Sequence, residues 1–561
     1  MGPARIPQEH VPNADGFVAG ERFLASVSRR LRALEGERLI ERLWARDHTL
    51  WRESPQEIAD RLGWLDAVEW ARARLGEIGS FAAELRASGV QDVVLLGMGG
   101  SSLAPEVFRR TFGSAPGHPR LHVLDTTSPA AIRQLTEALD AERLHVLVAS
   151  KSGSTIEVRT LLAYFRAFVE SATGAAGSGD HFSAITDPGT GLEQLARERG
   201  FRRVFRNAAD VGGRYSALSF FGLVPASVLG VDVAELLSRA AAMAESCRSR
   251  REPATNPGCS LGATLGEAVR LGCDKLTLLI SPRLASFGLW VEQLLAESTG
   301  KDGTGVIPIV GEPWVERVCT AEDRLFVTLR LDGDENEALD RAAASITTAG
   351  RPLFRITVPE VLALGAEMFR WEFATAVCGH VLGVHPFDQP DVQSTKERTQ
   401  QILAGLSSGH GSPEVPAGDA AELLAGARPG DYAAILIFGA ASPELEEACA
   451  ELRRALVEVQ GIATTLGYGP RFLHSTGQLH KGGSDRGVFV QILLDEDPLP
   501  IPGESFGFRE LLGAQATGDL EALRSVGRRV VRARMGEDAA AGVAALARSV
   551  RAGGSAARTK A

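Results

Sequence analysis

Short, largely apolar runs of five to seven residues, each followed by a stretch of helical composition, fill the middle of this chain. No other feature narrows the possible folds so far. VVLLG (93–97), LHVLVAS (144–150), FSAIT (182–186) and RVFRN (203–207) form one series. LTLLIS (276–281), GVIPIV (305–310), LFVTLRL (325–331) and FRITV (354–358) form a second, closed by a helical stretch at about 359–382. Runs this apolar must be covered on both faces, and strands alternating with helices build parallel sheets flanked by helices. The expected fold class is α/β, with two doubly wound parallel-sheet domains at 88–255 and 256–405.

The flanking segments follow from the same periodicities. Residues 1–87 are expected to be a helical lead, because Leu24, Val27, Leu31 and Leu34 recur every three or four positions. LSSGHGSPEVPAGDA (406–420) is rich in Gly, Ser and Pro, which predicts a linker over 406–430. AAILIFG (433–439), a helix near 443–459 and VFVQILLD (488–495) predict a small C-terminal α/β lobe at 431–505, and 506–561 is expected to be a helical tail. At 561 residues the chain is too long for one core.

The totals exclude several classes. A net charge of −10 argues against nucleic acid or an anionic membrane as partner. It leaves a small anion open, because a phosphate is gripped locally and carboxylates beyond about 8 Å are screened at physiological salt. Six cysteines lie far apart with no C-x-x-C, so neither a disulfide framework nor a zinc ribbon is expected, and a cytoplasmic setting fits. The N-terminus has no apolar core of a signal peptide and no apolar stretch reaches about 18 residues, which predicts neither export nor a membrane span.

Five segments carry chemistry. In GMGGSSLAPEVF, Gly99, Gly100, Ser101 and Ser102 occupy a strand-to-helix turn where N–H groups can face an anion. In SKSGSTIEV, Ser150, Lys151, Ser152, Ser154 and Thr155 surround Gly153 at the next helix start, which suits the oxygens of a phosphate better than it suits a strand or helix. DVGGRYSALS sets Arg214 after a Gly-Gly pair, where its charge could steady an enediolate. The alternative is a surface arginine paired with Asp210. In LWVEQLLAESTGKDGTG, Gln293 and Glu297 share one face of a helix ending at Gly300, and Glu297 could carry a proton between neighbouring carbons of a sugar phosphate. Lys396, in PFDQPDVQSTK, and His474, in LHSTGQLHKGG, are candidates for the proton transfers of ring opening. His480 stands six residues from His474, and the His380 and His385 pair has no carboxylate or cysteine cluster beside it, so no metal is expected.

Taken in order, GMGGSSLAPEV, SKSGSTIE, DVGGRYSALSFFGLVPASVLG, AESTGKDGTG and PFDQPDVQSTK resemble the motif series of phosphoglucose isomerase over roughly residues 20–405. The likeness is closest to the isomerase half of bifunctional transaldolase/phosphoglucose isomerases, although no transaldolase barrel is expected in this chain. The resemblance implies that both α/β domains are sugar isomerase (SIS) domains, each a flavodoxin-like parallel sheet. It implies interconversion of glucose 6-phosphate and fructose 6-phosphate through a cis-enediolate, in glycolysis and gluconeogenesis, with no cofactor. Carried over residue by residue, it makes Glu297 the C1–C2 base, Arg214 the enediolate stabiliser and Lys396 a helper in ring opening. Gln293 and Gln389 become substrate contacts, and Ser101, Ser150, Lys151, Ser152 and Thr155 phosphate ligands.

One departure stands out. In short bacterial members the ring-opening histidine, in an LHSMGQ-like stretch, lies between the glutamate and FDQP motifs, whereas LHSTGQ here follows both, so that His474 is expected from the small third lobe. The family takes this histidine from the neighbouring subunit. Whether His474 acts within its own chain or across a homodimer interface is left open. Two other readings stand beside the isomerase: a dual-specificity enzyme that also accepts mannose 6-phosphate, and a non-catalytic SIS sensor of sugar phosphates. The sensor could dispense with Glu297 and Lys396, and both are present.

Overall fold

A computed structural model describes residues 16–407, 416–533, 535 and 538–559. Helices fill most of residues 19–91, preceded by a three-residue strand, β1 (Gly16–Val18). The first run of apolar segments then folds as β2 (Asp92–Leu96), β3 (Arg120–Leu124), β4 (Leu144–Ala149), β5 (Phe182–Thr186) and β6 (Arg203–Arg206). These strands are parallel, in the order β3-β2-β4-β5-β6. This is the flavodoxin-like order, in which the chain leaves β2 to one side and returns to β4 on the other. The loops after β2 and β4 part there and open a crevice. Both hydroxyl-bearing loops of the sequence leave from that point.

The second series gives β7 (Lys275–Ile280), β8 (Ile307–Ile309), β9 (Arg324–Leu331) and β10 (Leu353–Val358), in the order β1-β10-β9-β7-β8. All pairs are parallel except β1, which lies antiparallel on β10 and stitches the start of the described chain to this sheet. A third parallel sheet comprises β11 (Tyr432–Phe438), β12 (Ala463–Gly469), β13 (Gly487–Leu493) and β14 (Arg529–Ala533), ordered β12-β11-β13-β14. It repeats the same central reversal on a smaller scale.

Alternate residues of the buried strands divide between two cores. Val93, Leu95, Leu147 and Ala149 face a core shared with the N-terminal helices and the second sheet. Val94, Leu96, Val146 and Val148 face another, which takes in Phe508, Leu511 and Ala514. These last belong to the helix Phe508–Ser525, whose opposite stripe, Leu512, Ala516, Leu520 and Leu523, joins the core of the third sheet. A helix apolar on two stripes can be buried between two bodies, and this one clamps the third sheet to the first.

Four strands escaped the apolar-run reading. β1 is only three residues long, β3 (RLHVL) interrupts its apolar residues with His122, β12 (ATTLGYG) is rich in Thr and Gly, and β14 (RVVRA) ends its run in arginine and alanine. β14 falls in the stretch expected as a helical tail. In the stretch expected as a linker, Ala420–Ala425 is helical, and its Ala420 and Leu424 enter the third core. Residues 408–415 of that stretch lie outside the described residues. No helix among the described residues is long and apolar enough to cross a membrane.

The long helix Leu364–Leu382 runs through the largest core and carries Glu372, fully buried, with neither carboxyl oxygen hydrogen-bonded among the described residues. Burial raises this carboxyl well above its ordinary value of 4.5. The folded state therefore keeps a proton that the unfolded chain releases above that value, and stability falls as pH rises. Glu372→Gln is expected to gain on the parent by up to about 1.4 kcal/mol per pH unit over this range. Denaturation midpoints of the two proteins at pH 5 and pH 8 check this; a gap that does not widen contradicts a neutral Glu372.

Candidate active site

Beside the crevice of the first sheet lies a cavity of about 330 Å³, lined by Ser152, Ser154 and Thr155, Glu157, Glu297, Gln389, Lys396, His474, Lys481 and Gln515 among others. That volume suits a small metabolite. Its walls come from loops and helices that follow strands of all three sheets.

Glu297 ends its helix, Phe287–Thr299, and is 8% exposed. One of its oxygens meets Arg214 Nε at 3.3 Å and Gln293 Nε2 at 3.1 Å, one helical turn earlier. The carboxylate is thereby aimed and kept next to a fixed positive charge. Arg214 is buried and also donates to the Asp388 carbonyl at 2.9 Å and to Gln389 Oε1. It ties the FDQP segment to the acid. Lys301, in the loop after the helix, grips the same segment through the Asp388 carbonyl at 2.7 Å and Asp388 Oδ1 at 2.6 Å. The surface alternative for Arg214 is excluded, since Asp210 lies 3.7 Å from Arg46 instead.

His474 closes a one-turn helix, Arg471–His474, that follows β12. Its Nε2 lies 3.0 Å from Glu157 Oε1, and its carbonyl accepts from Gln293 Nε2 at 2.8 Å. Arg471 holds this turn against the first sheet by a two-pronged pair with buried Asp125, both contacts at 2.7 Å. Glu496, beyond β13, adds a second anchor at the N-terminus of the helix Pro129–Glu137: it accepts from Ser128 Oγ at 2.7 Å and from the Ala130 N–H at 3.1 Å. The histidine thus reaches Glu157 of its own chain.

Burial would push the Glu157 carboxyl up, but the neighbouring His474, bonded to it, and the Lys396 charge hold it below its ordinary value. Gln515 Nε2 donates to the same oxygen at 2.7 Å. Lys481 pairs with fully buried Asp519 at 2.7 Å and presents a second cation to the cavity.

The candidates divide by what they touch. Glu297, Lys396, His474, Gln389, Ser152 and Thr155 line the cavity, with Lys396 exposed at its mouth. Ser150 stands behind this lining, its hydroxyl 3.3 Å from that of Thr155 and accepting from the Gly153 N–H at 3.1 Å. Arg214 and Gln293 are absent from the lining; they support Glu297 from below instead of meeting the open space. Gly99 and Gly100 are likewise packing surfaces. Gly99, at φ 54°, lies so close to the His474 carbonyl that a Cβ would come within 2.7 Å, and a Cβ on Gly100 would sit 2.0 Å from the Gly213 carbonyl oxygen. Only glycine lets the first loop, the Arg214 turn and the His474 turn converge.

Two expectations for the phosphate change. The Lys151 ammonium turns to Asp187 and to the Ala209 carbonyl, 3.0 Å away, and is not part of the lining. A lysine beside a half-buried carboxylate has an ion pair there that an open cavity wall does not offer. Ser101 is buried, its N–H donating to the Met98 carbonyl at 3.1 Å to close the turn. Of the other histidines weighed from the sequence, His380 contacts the Leu50 carbonyl and Glu37, His385 Nδ1 accepts from the Phe387 N–H at 3.1 Å, and buried His480, held neutral by burial, packs on Phe489.

Glu157, Gln515 and Lys481 were missed. Glu157 lies in SKSGSTIE itself, in the first helical turn after the hydroxyls, and an acid there could have drawn notice. Gln515, 358 residues from its partner, offered no local signal.

The family model for phosphoglucose isomerase matches residues 77–306, a segment that contains the two hydroxyl loops, Arg214 and Glu297 but stops short of Lys396 and His474. Glucose-6-phosphate isomerase of Symbiobacterium thermophilum is 30% identical over 405 residues, covering 64% of this chain and 90% of that protein. Its counterpart in Rubrobacter xylanophilus is 29% identical, covering 57% and 84%. Among solved structures, a hypothetical protein of Thermus thermophilus overlays with a TM-score of 0.57 at 28% identity, covering 68% of this chain and 99% of its own. A glucose-6-phosphate isomerase of Chlamydia trachomatis, at 20% identity and a TM-score of 0.54 over 70% of this chain and 89% of that one, shares the fold.

Proposed function

The chain belongs to the phosphoglucose isomerase family, and from that premise we propose how its residues interconvert glucose 6-phosphate and fructose 6-phosphate. The observation that carries the reading is one cavity with Glu297 and the His474–Glu157 pair both in its lining. Isomerisation of a cyclic sugar needs two separate proton-handling groups, one at the ring oxygen and one at C1 and C2. A sensor needs neither.

The phosphate ester sits against Ser152, Ser154 and Thr155, where hydroxyls and the N-terminal end of the helix Ile156–Thr173 favour an anion. Lys396, at the mouth, adds a positive charge and assists ring opening. With Nε2 facing Glu157, His474 has Nδ1 left for the sugar, and it exchanges a proton with the ring oxygen as the ring opens. Glu297 then takes the proton from C2 and returns it to C1 through a cis-enediolate, while Arg214, touching the base, offsets the negative charge that develops. Gln293 and Gln389 keep the base and the FDQP segment in register with each other.

The finer likeness, to the isomerase half of bifunctional transaldolase/phosphoglucose isomerases, rests on the motif series alone. A coupled assay on glucose 6-phosphate deuterated at C2 tests the mechanism. Fructose 6-phosphate is expected to form with part of the label lost to water, because a proton held on a carboxylate exchanges. Full retention of the label at C1 would mean a hydride shift and would remove Glu297 from its role.

A further inference from the structure

Thr127, Gln515, Glu157 and His474 come from four separate parts of the chain and form one line of hydrogen bonds along the cavity wall. The Thr127 hydroxyl donates to Gln515 Oε1 at 2.7 Å, Gln515 Nε2 donates to Glu157 Oε1 at 2.7 Å, and that oxygen also faces His474 Nε2 at 3.0 Å. Gln515 is 2% exposed and lies on the helix Phe508–Ser525, between the stripe packed on the first sheet and the stripe packed on the third. An ionised carboxylate only accepts, so the amide must present its nitrogen to Glu157. Thr127, donating to the amide oxygen, holds it that way round.

We propose that Gln515 is a positioning residue for ring opening, which fixes Glu157 against His474 and moderates how strongly that carboxylate holds a proton on the imidazole. The proposal rests on the roles assigned above to Glu157 and His474. One oxygen shared between two donors is a weaker partner for each than it would be for one alone. Remove the amide, and the whole acceptor strength of that oxygen falls on His474, which becomes more basic.

The other charges around the imidazole are supplied independently of Gln515. Lys396 comes from the helix Gln393–Ser407, Lys481 from Gly477–Gly482, Glu297 from Phe287–Thr299 and Arg214 from the turn Gly213–Tyr215, while Asp519, one turn beyond Gln515 on the same helix, is paired with Lys481 through its own side chain. Arg471, on the same short helix as His474, is occupied by Asp125. All of these remain when Gln515 is replaced, so a change in the pH profile reports the amide.

The experiment is the pH dependence of kcat/KM on fructose 6-phosphate between pH 5 and 9 for the parent, Gln515→Leu, Thr127→Val and His474→Ala. Because His474 must carry the proton it gives to the ring oxygen, Gln515→Leu is expected to move the alkaline limb upward by about half a pH unit or more, with inhibition by inorganic phosphate unchanged. Thr127→Val, which only frees the amide to turn, moves it the same way by less and carries the test if Gln515→Leu does not fold. Limbs that superimpose on the parent overturn the proposal even where the rate has dropped. If His474→Ala itself keeps the parental limb and rate, the active-site reading fails first, and that outcome is distinct from the other.

Discussion

Glu297→Gln is expected to lower kcat for fructose 6-phosphate by about 10²–10⁴-fold, the usual worth of a well-placed general base, while KM stays within a few-fold. The substitution keeps the shape of the side chain, and the amide oxygen can still accept from Gln293 Nε2 and Arg214 Nε, which now meet one oxygen at 3.1 and 3.3 Å. What disappears is the ability to take a proton from carbon. The hydroxyls proposed to hold the phosphate stand in the loop after β4, on a different domain from the helix that carries the acid. A steady-state assay of parent and variant side by side decides it. Turnover close to that of the parent would remove the proton-transfer assignment, and a large rise in KM at unchanged kcat would make Glu297 a binding group instead.

His474→Ala should slow conversion of the cyclic sugar by about 10²-fold or more, and conversion of an open-chain analogue far less. In the proposed mechanism the imidazole serves ring opening, and an open substrate bypasses that step. Because His474 meets Glu157 of the same chain at 3.0 Å, each chain carries both groups of the site. Mixing Glu297→Gln protein with His474→Ala protein is therefore expected to restore no activity. If the histidine crossed between subunits, mixed assemblies would contain one site with both groups intact, and activity would return. Recovery on mixing would show that the neighbouring subunit supplies the histidine, and equal slowing of cyclic and open-chain substrates would remove His474 from ring opening.

Much of the site was legible in short stretches of sequence. Apolar runs ending in glycine and hydroxyl residues announced β2 and β4, and the reversal of strand order between them made their loops a crevice. Gln293 and Glu297 could be placed on one helical face from their spacing, and they do share a hydrogen bond. Side-chain direction was harder. Lys151 stands in a loop of hydroxyls yet turns to Asp187, because a nearby half-buried carboxylate claims a flexible ammonium before an open cavity does. Gln293 and Arg214 belong to the right motifs but stand under the base, out of the open space.

Periodicity and backbone torsion act over a few residues, so the strands, the glycine turns and the acid at a helix end could be read where they stand. That the third lobe delivers His474 could be read from motif order, but the partnership of Gln515 with Glu157 and the seating of the His474 turn against Glu157 could not. Both depend on a helix buried between two cores, and on the Arg471–Asp125 and Glu496–Ser128 contacts that dock one sheet on another. Those contacts arise from the complementarity of surfaces that meet only once the chain has folded, and no local pattern of residues encodes them.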